Sequence, residues 1–411
     1  MSSSEQSGFK RRGRKIVFRL AAVFLSLLLL GVLAEISFRI LHPRAPDIYR
    51  PSPILGWEHA PGVGPINSSG LNMDRELDPR STARRILLIG DSFLDNYPFW
   101  KRLESALQKR SPDTSWEVVS SGVSGYALDQ YYLWYAHYGR FLVPRPATVV
   151  VCVFLGNDWA DMAKERTNGG IAKPYFLLQD TSLVLFNSPI AQPEIKTRDR
   201  WSPIVKGSMR KLLASRTEVA ASSGGFIRRT LYPVHLFLRK HSRAYYHFKD
   251  LLAAALQSKG GITEEQRYAP ADLFYFRNYS CLFSTKNGQD GERIWRLFEA
   301  VLNRMKSDVE AEGASFAILL IPHIWQVDTR AQKRFLSLAE REHLSVDLDA
   351  PLSRIEEMAR RNHWRLVNLV SPFRERNATK PVYESRGPEA HWSEEGMKVA
   401  VENLLPVVGK L

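Results

Sequence analysis

Three short apolar runs, each followed by a turn and a segment with helical spacing, constrain the fold of this 411-residue chain most strongly. They lie at residues 84–89, 116–119 and 148–154. Apart from Arg84 and Arg85 at the edge of the first run and Glu117 in the second, these residues are mainly apolar, which is typical of strands buried on both faces of a parallel sheet. Further runs at 314–321 and 364–370 alternate with helical patterns. The alternation predicts an α/β fold, with a parallel sheet covered by helices on both faces.

Helices are predicted where apolar residues recur every three or four positions. The first follows the first strand, with Trp100, Leu103 and Leu107 on one face. The others are predicted at residues 128–141, 292–311, 350–361 and 394–408.

The amino-terminal segment predicts a membrane anchor. Basic residues at 10–15 precede a stretch from 16 to 41 in which apolar residues predominate. Because about 20 such residues suffice to span a bilayer, we predict a cytoplasmic tail over residues 1–15 and a single-pass transmembrane helix over 16–41. The positive-inside rule then puts the rest of the chain outside the cytoplasm, which is the periplasm in a Gram-negative cell. The alternative is a signal peptide cleaved near Ala34.

The remainder divides into a linker and one large domain. Residues 42–83 are rich in Pro, Gly and Ser, so we predict a linker there, with Leu55 and Trp57 available to pack on the edge of the domain that follows over 84–411. Between about 160 and 290 the strand–helix alternation stops, which predicts an insertion that selects the substrate. Within the insertion, a hairpin is predicted to turn at Asp180 and Thr181.

Composition excludes several classes of function. The formal charge is +14, but outside the amino terminus the basic residues are scattered, so no nucleic-acid partner is predicted. The two cysteines, Cys152 and Cys281, form no Cys-x-x-Cys pair; a disulfide between them stays an open alternative. Because the usual nucleotide and zinc-protease motifs are absent, we predict neither a metal nor a cofactor.

The most informative motif is Gly90-Asp91-Ser92-Phe93, where the first predicted strand ends and a helix should begin. Ligand crevices in parallel sheets lie off the carboxyl ends of the strands, so a serine there is well placed for chemistry. The simpler interpretation is that Ser92 only caps the helix.

Three further blocks occupy equivalent places. Gly125 lies in the turn after the second strand, Asn157 and Asp158 follow the third strand, and His391 precedes the last helix. Since the carboxyl ends of parallel strands meet at one edge of the sheet, all four blocks are expected at one rim.

These four blocks resemble those of the SGNH hydrolase superfamily, the GDSL-like lipases and esterases, in its membrane-anchored bacterial form. The resemblance covers residues 84–160 and 314–411. It implies a flavodoxin-like three-layer α/β/α sandwich with a central insertion. It also implies that Ser92 is the nucleophile and His391 its base. The oxyanion hole would combine the N–H groups of Ser92 and Gly125 with the side-chain amide of Asn157.

One position departs from the family pattern. The triad acid of these hydrolases is usually an aspartate two or three residues before the histidine. Here those positions hold Glu389 and Pro388. Because Ser-His-Glu triads exist, we predict Glu389 as the acid.

The resulting prediction is an extracytoplasmic serine ester hydrolase that forms an acyl-serine intermediate. Its substrate would be an acyl ester, carried on a glycan or a lipid. One alternative is an O-acyltransferase that acetylates a cell-surface polysaccharide through the same residues. The other is a non-catalytic surface or assembly protein, an alternative that the departure at Glu389 favours.

Overall fold

The computed structural model describes residues 18–19, 21–26, 28–37, 40, 47–167, 170–191, 264–286 and 288–409. Two compact units are distinguished, and the larger one contains every described residue from Asp47 onward. In the smaller unit the described residues are helical. No helix in the described part of the chain has the length and apolar character needed to cross a membrane. The predicted tail over 1–15, and parts of the predicted anchor over 16–41, lie outside the described residues.

Five parallel strands form the central sheet of the larger unit, in the order β4 (Trp116–Ser120), β3 (Arg84–Ile89), β5 (Thr148–Phe154), β8 (Ser315–Ile321) and β9 (Arg365–Asn368). Numbered along the chain, this is the order 2-1-3-4-5 of flavodoxin-like folds. The predicted parallel α/β sheet is therefore confirmed. Among its described residues the strands are β1 (Tyr49–Ser52), β2 (Gly56–His59), β3 (Arg84–Ile89), β4 (Trp116–Ser120), β5 (Thr148–Phe154), β6 (Tyr175–Gln179), β7 (Ser182–Phe186), β8 (Ser315–Ile321) and β9 (Arg365–Asn368).

Helices pack along this sheet in two groups. The first pairs α2 (Phe99–Arg110) with α10 (Glu394–Val408), and the second pairs α3 (Leu128–His137) with α6 (Gln289–Ala311). Ion pairs Arg354–Glu292 and Arg361–Glu299 join α8 to α6 in the second group. Where the structure describes this unit, its α-helices are α1 (Ser92–Asp95), α2 (Phe99–Arg110), α3 (Leu128–His137), α4 (Asn157–Asp161), α5 (Glu264–Tyr279), α6 (Gln289–Ala311), α7 (Thr329–Arg341), α8 (Ala350–Arg361), α9 (Val370–Asn377) and α10 (Glu394–Val408).

The core explains why the sequence pattern located these elements. Every residue of β5 is buried, as expected for a central parallel strand. The apolar face of α6, from Trp295 to Met305, is buried against the sheet. Some boundaries differ from the prediction. Helix α3 ends at His137, and a short 3-10 turn covers Gly139–Phe141. The strand predicted over 364–370 is limited to β9, and α9 begins at Val370.

The segment predicted as a linker contains a folded hairpin. Strands β1 and β2 pair antiparallel, and Leu55 and Trp57 are both completely buried. The Trp57 indole Nε1 donates to the Ser124 carbonyl oxygen at 3.2 Å, and the Tyr126 hydroxyl donates to the Trp57 carbonyl. We refer to residues 49–59 as the amino-terminal hairpin. It packs beside the turn that contains Gly125.

In the predicted insertion, β6 and β7 form the expected hairpin, with Gln179 opposite Ser182 and the turn at Asp180 and Thr181. Residues 192–263 lie outside the described part of the chain. Helix α5 follows, and its Phe276 ring packs on Phe335 of α7. Cys152 and Cys281 are both free thiols.

Candidate active site

Ser92 is the first residue of α1, immediately after β3 at the carboxyl edge of the sheet. The helix cap is Asp91, whose Oδ1 accepts a hydrogen bond from the Phe93 N–H at 3.0 Å. The interpretation of Ser92 as the helix cap is therefore wrong. The capping oxygen belongs to the preceding residue, and the Ser92 hydroxyl itself donates a long hydrogen bond, at 3.4 Å, to the other oxygen of that carboxylate, Asp91 Oδ2.

The Ser92 hydroxyl contacts His391, which lies in the loop before α10. The Nε2 atom of His391 lies 2.7 Å from the Oγ atom of Ser92. The Phe93 ring packs against the imidazole with centroids 4.7 Å apart, and the Tyr97 ring stacks on it at 5.6 Å and 26°. These two rings hold the imidazole in its plane. Burial lowers the pKa of His391, so its neutral form is favoured near neutral pH.

The carboxylate of Glu389 does not pair with His391. It lies against Gly387, so close that a Cβ added there would be 2.6 Å from Glu389 Oε1. No hydrogen bond joins this carboxylate to the imidazole in the described structure. Residue 389 instead meets the ring through its backbone carbonyl, an interaction that favours the protonated imidazole. The side-chain pairing expected from the sequence is thus replaced by a main-chain contact.

A different acid lies close to the histidine. The backbone N–H of Glu384 donates to the His391 carbonyl oxygen at 3.0 Å, next to the bridge between Tyr383 and Trp392. Its carboxylate accepts a hydrogen bond from the Tyr97 hydroxyl at 2.6 Å. Burial lowers the pKa of His391, and the charge of Glu384 acts in the opposite direction. Glu384 and Tyr97 were not predicted from the sequence, because no short motif marks either residue.

Gly125 lies in the turn after β4 with a φ of +76°, a conformation that favours glycine. The preceding glycine of this turn, Gly122, packs directly on α1. A Cβ at Gly122 would lie 2.3 Å from Leu94 Cβ and 2.6 Å from the Asp95 backbone nitrogen. The turn that holds Gly125 and the helix that begins with Ser92 are therefore in contact along their backbones.

Asn157 begins α4, at the end of β5. Its amide Nδ2 donates to the Tyr126 carbonyl oxygen at 3.2 Å and to Asp158 Oδ1 at 3.1 Å. The Asn157 amide is thus tied to the turn after β4, and one of these two bonds must open before the same hydrogen can reach an oxyanion.

Two buried carboxylates lie beneath the site. Asp158 accepts hydrogen bonds from the Tyr131 hydroxyl at 2.9 Å and the Phe154 N–H at 2.8 Å. Burial raises the pKa of Asp158 well above its usual value, and the charge of Asp91 raises it further. Burial also raises the pKa of Asp91, to about 6. The pair therefore disfavours having both carboxylates ionised at once.

No cluster of three or more His, Cys, Asp or Glu side chains suited to a metal ion occurs within the described residues. The groups that meet at the carboxyl edge of the sheet are those of nucleophilic chemistry: a hydroxyl, an imidazole, a turn with a left-handed glycine and an amide.

Comparisons with known proteins give distant structural matches. No protein-family model matches the chain, and no curated protein matches it. Similar folds occur in a variant of an acetyl xylan esterase from Geobacillus stearothermophilus (12% identity, TM-score 0.36, covering 81% of this chain and 97% of that one). They also occur in a lipase/acylhydrolase from Enterococcus faecalis (10%, TM-score 0.33, 80% and 96%). A GDSL-like lipase from Bacteroides thetaiotaomicron is a further match (12%, TM-score 0.31, 80% and 88%). Likenesses at this level assign neither a family nor an activity to this chain.

Proposed function

We propose that this protein is a serine ester hydrolase that acts through an acyl-Ser92 intermediate. The observation that supports this most is the 2.7 Å distance between Ser92 Oγ and His391 Nε2 at the carboxyl edge of a parallel sheet. A serine hydroxyl is a weak nucleophile until a neighbouring base takes its proton, and a neutral imidazole at hydrogen-bond distance is such a base.

In the proposed reaction, Ser92 Oγ attacks the carbonyl carbon of the ester while its proton passes to His391 Nε2. The tetrahedral intermediate then expels the alcohol, which takes that proton from His391. Water attacks the acyl-serine in the same way, with His391 again accepting and then returning a proton. The acid is released and Ser92 is restored. The backbone carbonyl of Glu389 and the rings of Phe93 and Tyr97 orient the imidazole throughout.

The developing oxyanion needs hydrogen-bond donors. Within the described structure the Gly125 N–H donates to no acceptor, so it can donate to a bound ligand. We propose that it acts with the Ser92 N–H, and that the Asn157 amide exchanges one of its present acceptors for the oxyanion. One such donor typically contributes about 3 kcal/mol to stabilising the transition state.

We also propose that the enzyme works outside the cytoplasm, held at a membrane by its amino-terminal segment. The support is the basic segment at 10–15 followed by the apolar stretch within 16–41. The substrate would then be an acyl ester of the cell surface, on a glycan or a lipid.

The test is labelling of the full-length protein with a fluorophosphonate, which forms a covalent bond with an activated serine and releases fluoride. We expect labelling of the wild type and of the control variant Ser121→Ala. In the wild type the Ser121 hydroxyl donates to the Leu88 carbonyl oxygen, away from His391. Ser92→Ala should not be labelled. An unlabelled but folded wild type would favour a non-catalytic surface protein. Product analysis with an acetyl ester and an oligosaccharide then separates hydrolysis from acyl transfer.

A further inference from the structure

Asp95 is the last residue of α1, the short helix that begins with Ser92. It is almost completely buried, yet its carboxylate is surrounded by donors from other parts of the chain. Its Oδ1 lies 2.9 Å from His59 Nε2, and both side chains are only 1% exposed. Its Oδ2 accepts a hydrogen bond from the Tyr49 hydroxyl. The amino-terminal hairpin therefore supplies two of its partners.

The Asn72 amide Nδ2 also donates to Asp95 Oδ1, at 3.1 Å, and the turn after β4 supplies the remaining partners. The Ser124 N–H donates to Asp95 Oδ2 at 2.9 Å, and the Ser124 hydroxyl donates to the same oxygen at 2.6 Å. The next residue is Gly125, the proposed oxyanion donor. A single carboxylate thus holds the backbone on either side of the site, because it sits on the helix of Ser92 and binds the turn of Gly125.

These contacts favour an ionised carboxylate. Burial alone would raise the pKa of Asp95, but the hydrogen bonds and charge of His59, with Ser124 and Tyr49, hold that pKa well below its usual value. Charge-assisted hydrogen bonds in a buried environment are short and strong, so they restrict the relative position of the groups they join. The Tyr49 ring also stacks on the His59 ring at 5.2 Å, which fixes the histidine in the hairpin.

We propose that Asp95, held by His59 of the amino-terminal hairpin, is a positioning residue that sets the distance between Ser92 and the Gly125 N–H. This inference rests on the proposed function, because it assigns a role within the same site. It also gives the hairpin, which comes before the central sheet in the chain, a part in catalysis. A displacement of about 1 Å in such a site can lower the rate about a hundredfold.

The experiment compares Asp95→Asn with Glu117→Gln in the full-length protein. Glu117 forms a buried ion pair with Arg85, in which Arg85 Nε donates to Glu117 Oε2 at 2.7 Å. This pair lies at the opposite end of the sheet from Ser92. The control therefore also neutralises a buried carboxylate, but away from the site. The kcat for ester cleavage is expressed per active site that the fluorophosphonate labels. We expect Asp95→Asn to lower this kcat about a hundredfold and to change KM less than about twofold. Glu117→Gln should lower the melting temperature and leave kcat unchanged.

A second pair of variants covers the case in which Asp95→Asn does not fold. Ser124→Ala removes one of the two Ser124 hydrogen bonds, so we expect kcat to fall about tenfold. Ser124→Thr keeps the hydroxyl and should restore the wild-type rate. The inference is overturned if the wild type is labelled at Ser92 while Ser124→Ala, and Asp95→Asn where it folds, react at the wild-type rate. A folded wild type that is not labelled would overturn the proposed function, and this inference with it.

Discussion

The Nε2 atom of His391 lies 2.7 Å from the Oγ atom of Ser92, although 299 positions separate the two residues along the chain. This contact is made because β3 directs Ser92, and the loop before α10 directs His391, to the same edge of the sheet. Phe93 and Tyr97, which follow Ser92 in the chain, both pack their rings against the imidazole. The orientation of the base therefore depends on aromatic contacts as well as on hydrogen bonds.

The pH dependence of ester cleavage should report the burial of His391. Burial lowers the pKa of His391, and only the neutral ring can accept the Ser92 proton. Activity is thus lost as the pH falls through that pKa, and we expect kcat/KM to reach half its maximum below the ordinary imidazole value of about 6.5. A half-point above this value would contradict the assignment. Because burial raises the pKa of Asp91 to about 6, the profile should also be measured for Asp91→Asn, which keeps the capping oxygen.

Two glutamates can be compared as supports for His391. We expect Glu389→Gln to leave fluorophosphonate labelling within about twofold of the wild type, because a glutamine keeps the backbone carbonyl that meets the ring. Glu384→Gln removes a negative charge that opposes the effect of burial, so the kinetic pKa of His391 should fall further. The pH–rate profiles of both variants provide the measurement. A large loss in Glu389→Gln alone would restore Glu389 as the triad acid.

Close packing of the turn on α1 predicts a strong effect at Gly122. An alanine there would bring its Cβ within 2.3 Å of Leu94 Cβ and 2.6 Å of the Asp95 backbone nitrogen. Because backbone atoms cannot give way cheaply, we expect Gly122→Ala to displace α1 and to reduce labelling of Ser92 by at least about tenfold. Gly288→Ala is the matched control, since a Cβ there meets nothing within 4 Å. Equal labelling rates in the two variants would argue against contact between the turn and the helix.

The sheet could be predicted from the sequence because its central strands, β3, β5 and β8, are almost entirely buried and are mainly apolar. The same signal places Ser92, Gly125 and Asn157 at the strand ends, since parallel topology brings those ends to one edge. The amphipathic helix α7 was missed although Asp328 caps it, with its side chain accepting from the Arg330 and Ala331 N–H groups. The cap of α7 follows a 3-10 turn rather than a strand. The helix therefore could not be recognised from the alternation of strands and helices that identified the other elements.

The supports of His391 and Asp95 could not be predicted for a different reason. Tyr97, Glu384 and His59 act through contacts between segments that are distant in the chain, and each residue type is common in surface loops. Residues 42–83 were predicted as a linker from their Pro, Gly and Ser content. That content also suits the tight turns of the amino-terminal hairpin, which is stabilised by the burial of Leu55 and Trp57 rather than by a local pattern.

The ion pair between Lys173 and Asp129 gives a prediction about stability rather than catalysis. Both side chains are only 1% exposed, and the pair joins α3 to the segment before β6. Asp129→Leu would leave a buried ammonium group without its partner, so we expect the free energy of unfolding to fall by about 3–5 kcal/mol. The double variant Asp129→Leu/Lys173→Met should recover most of this loss, because it removes both charges together. Urea unfolding measures the free energy of unfolding of each variant. The control is Glu310→Ala, which breaks the more exposed Lys306–Glu310 pair. We expect this control to change the free energy of unfolding by less than about 0.5 kcal/mol. A double variant no more stable than Asp129→Leu would show that the loss comes from packing and not from the unpaired charge.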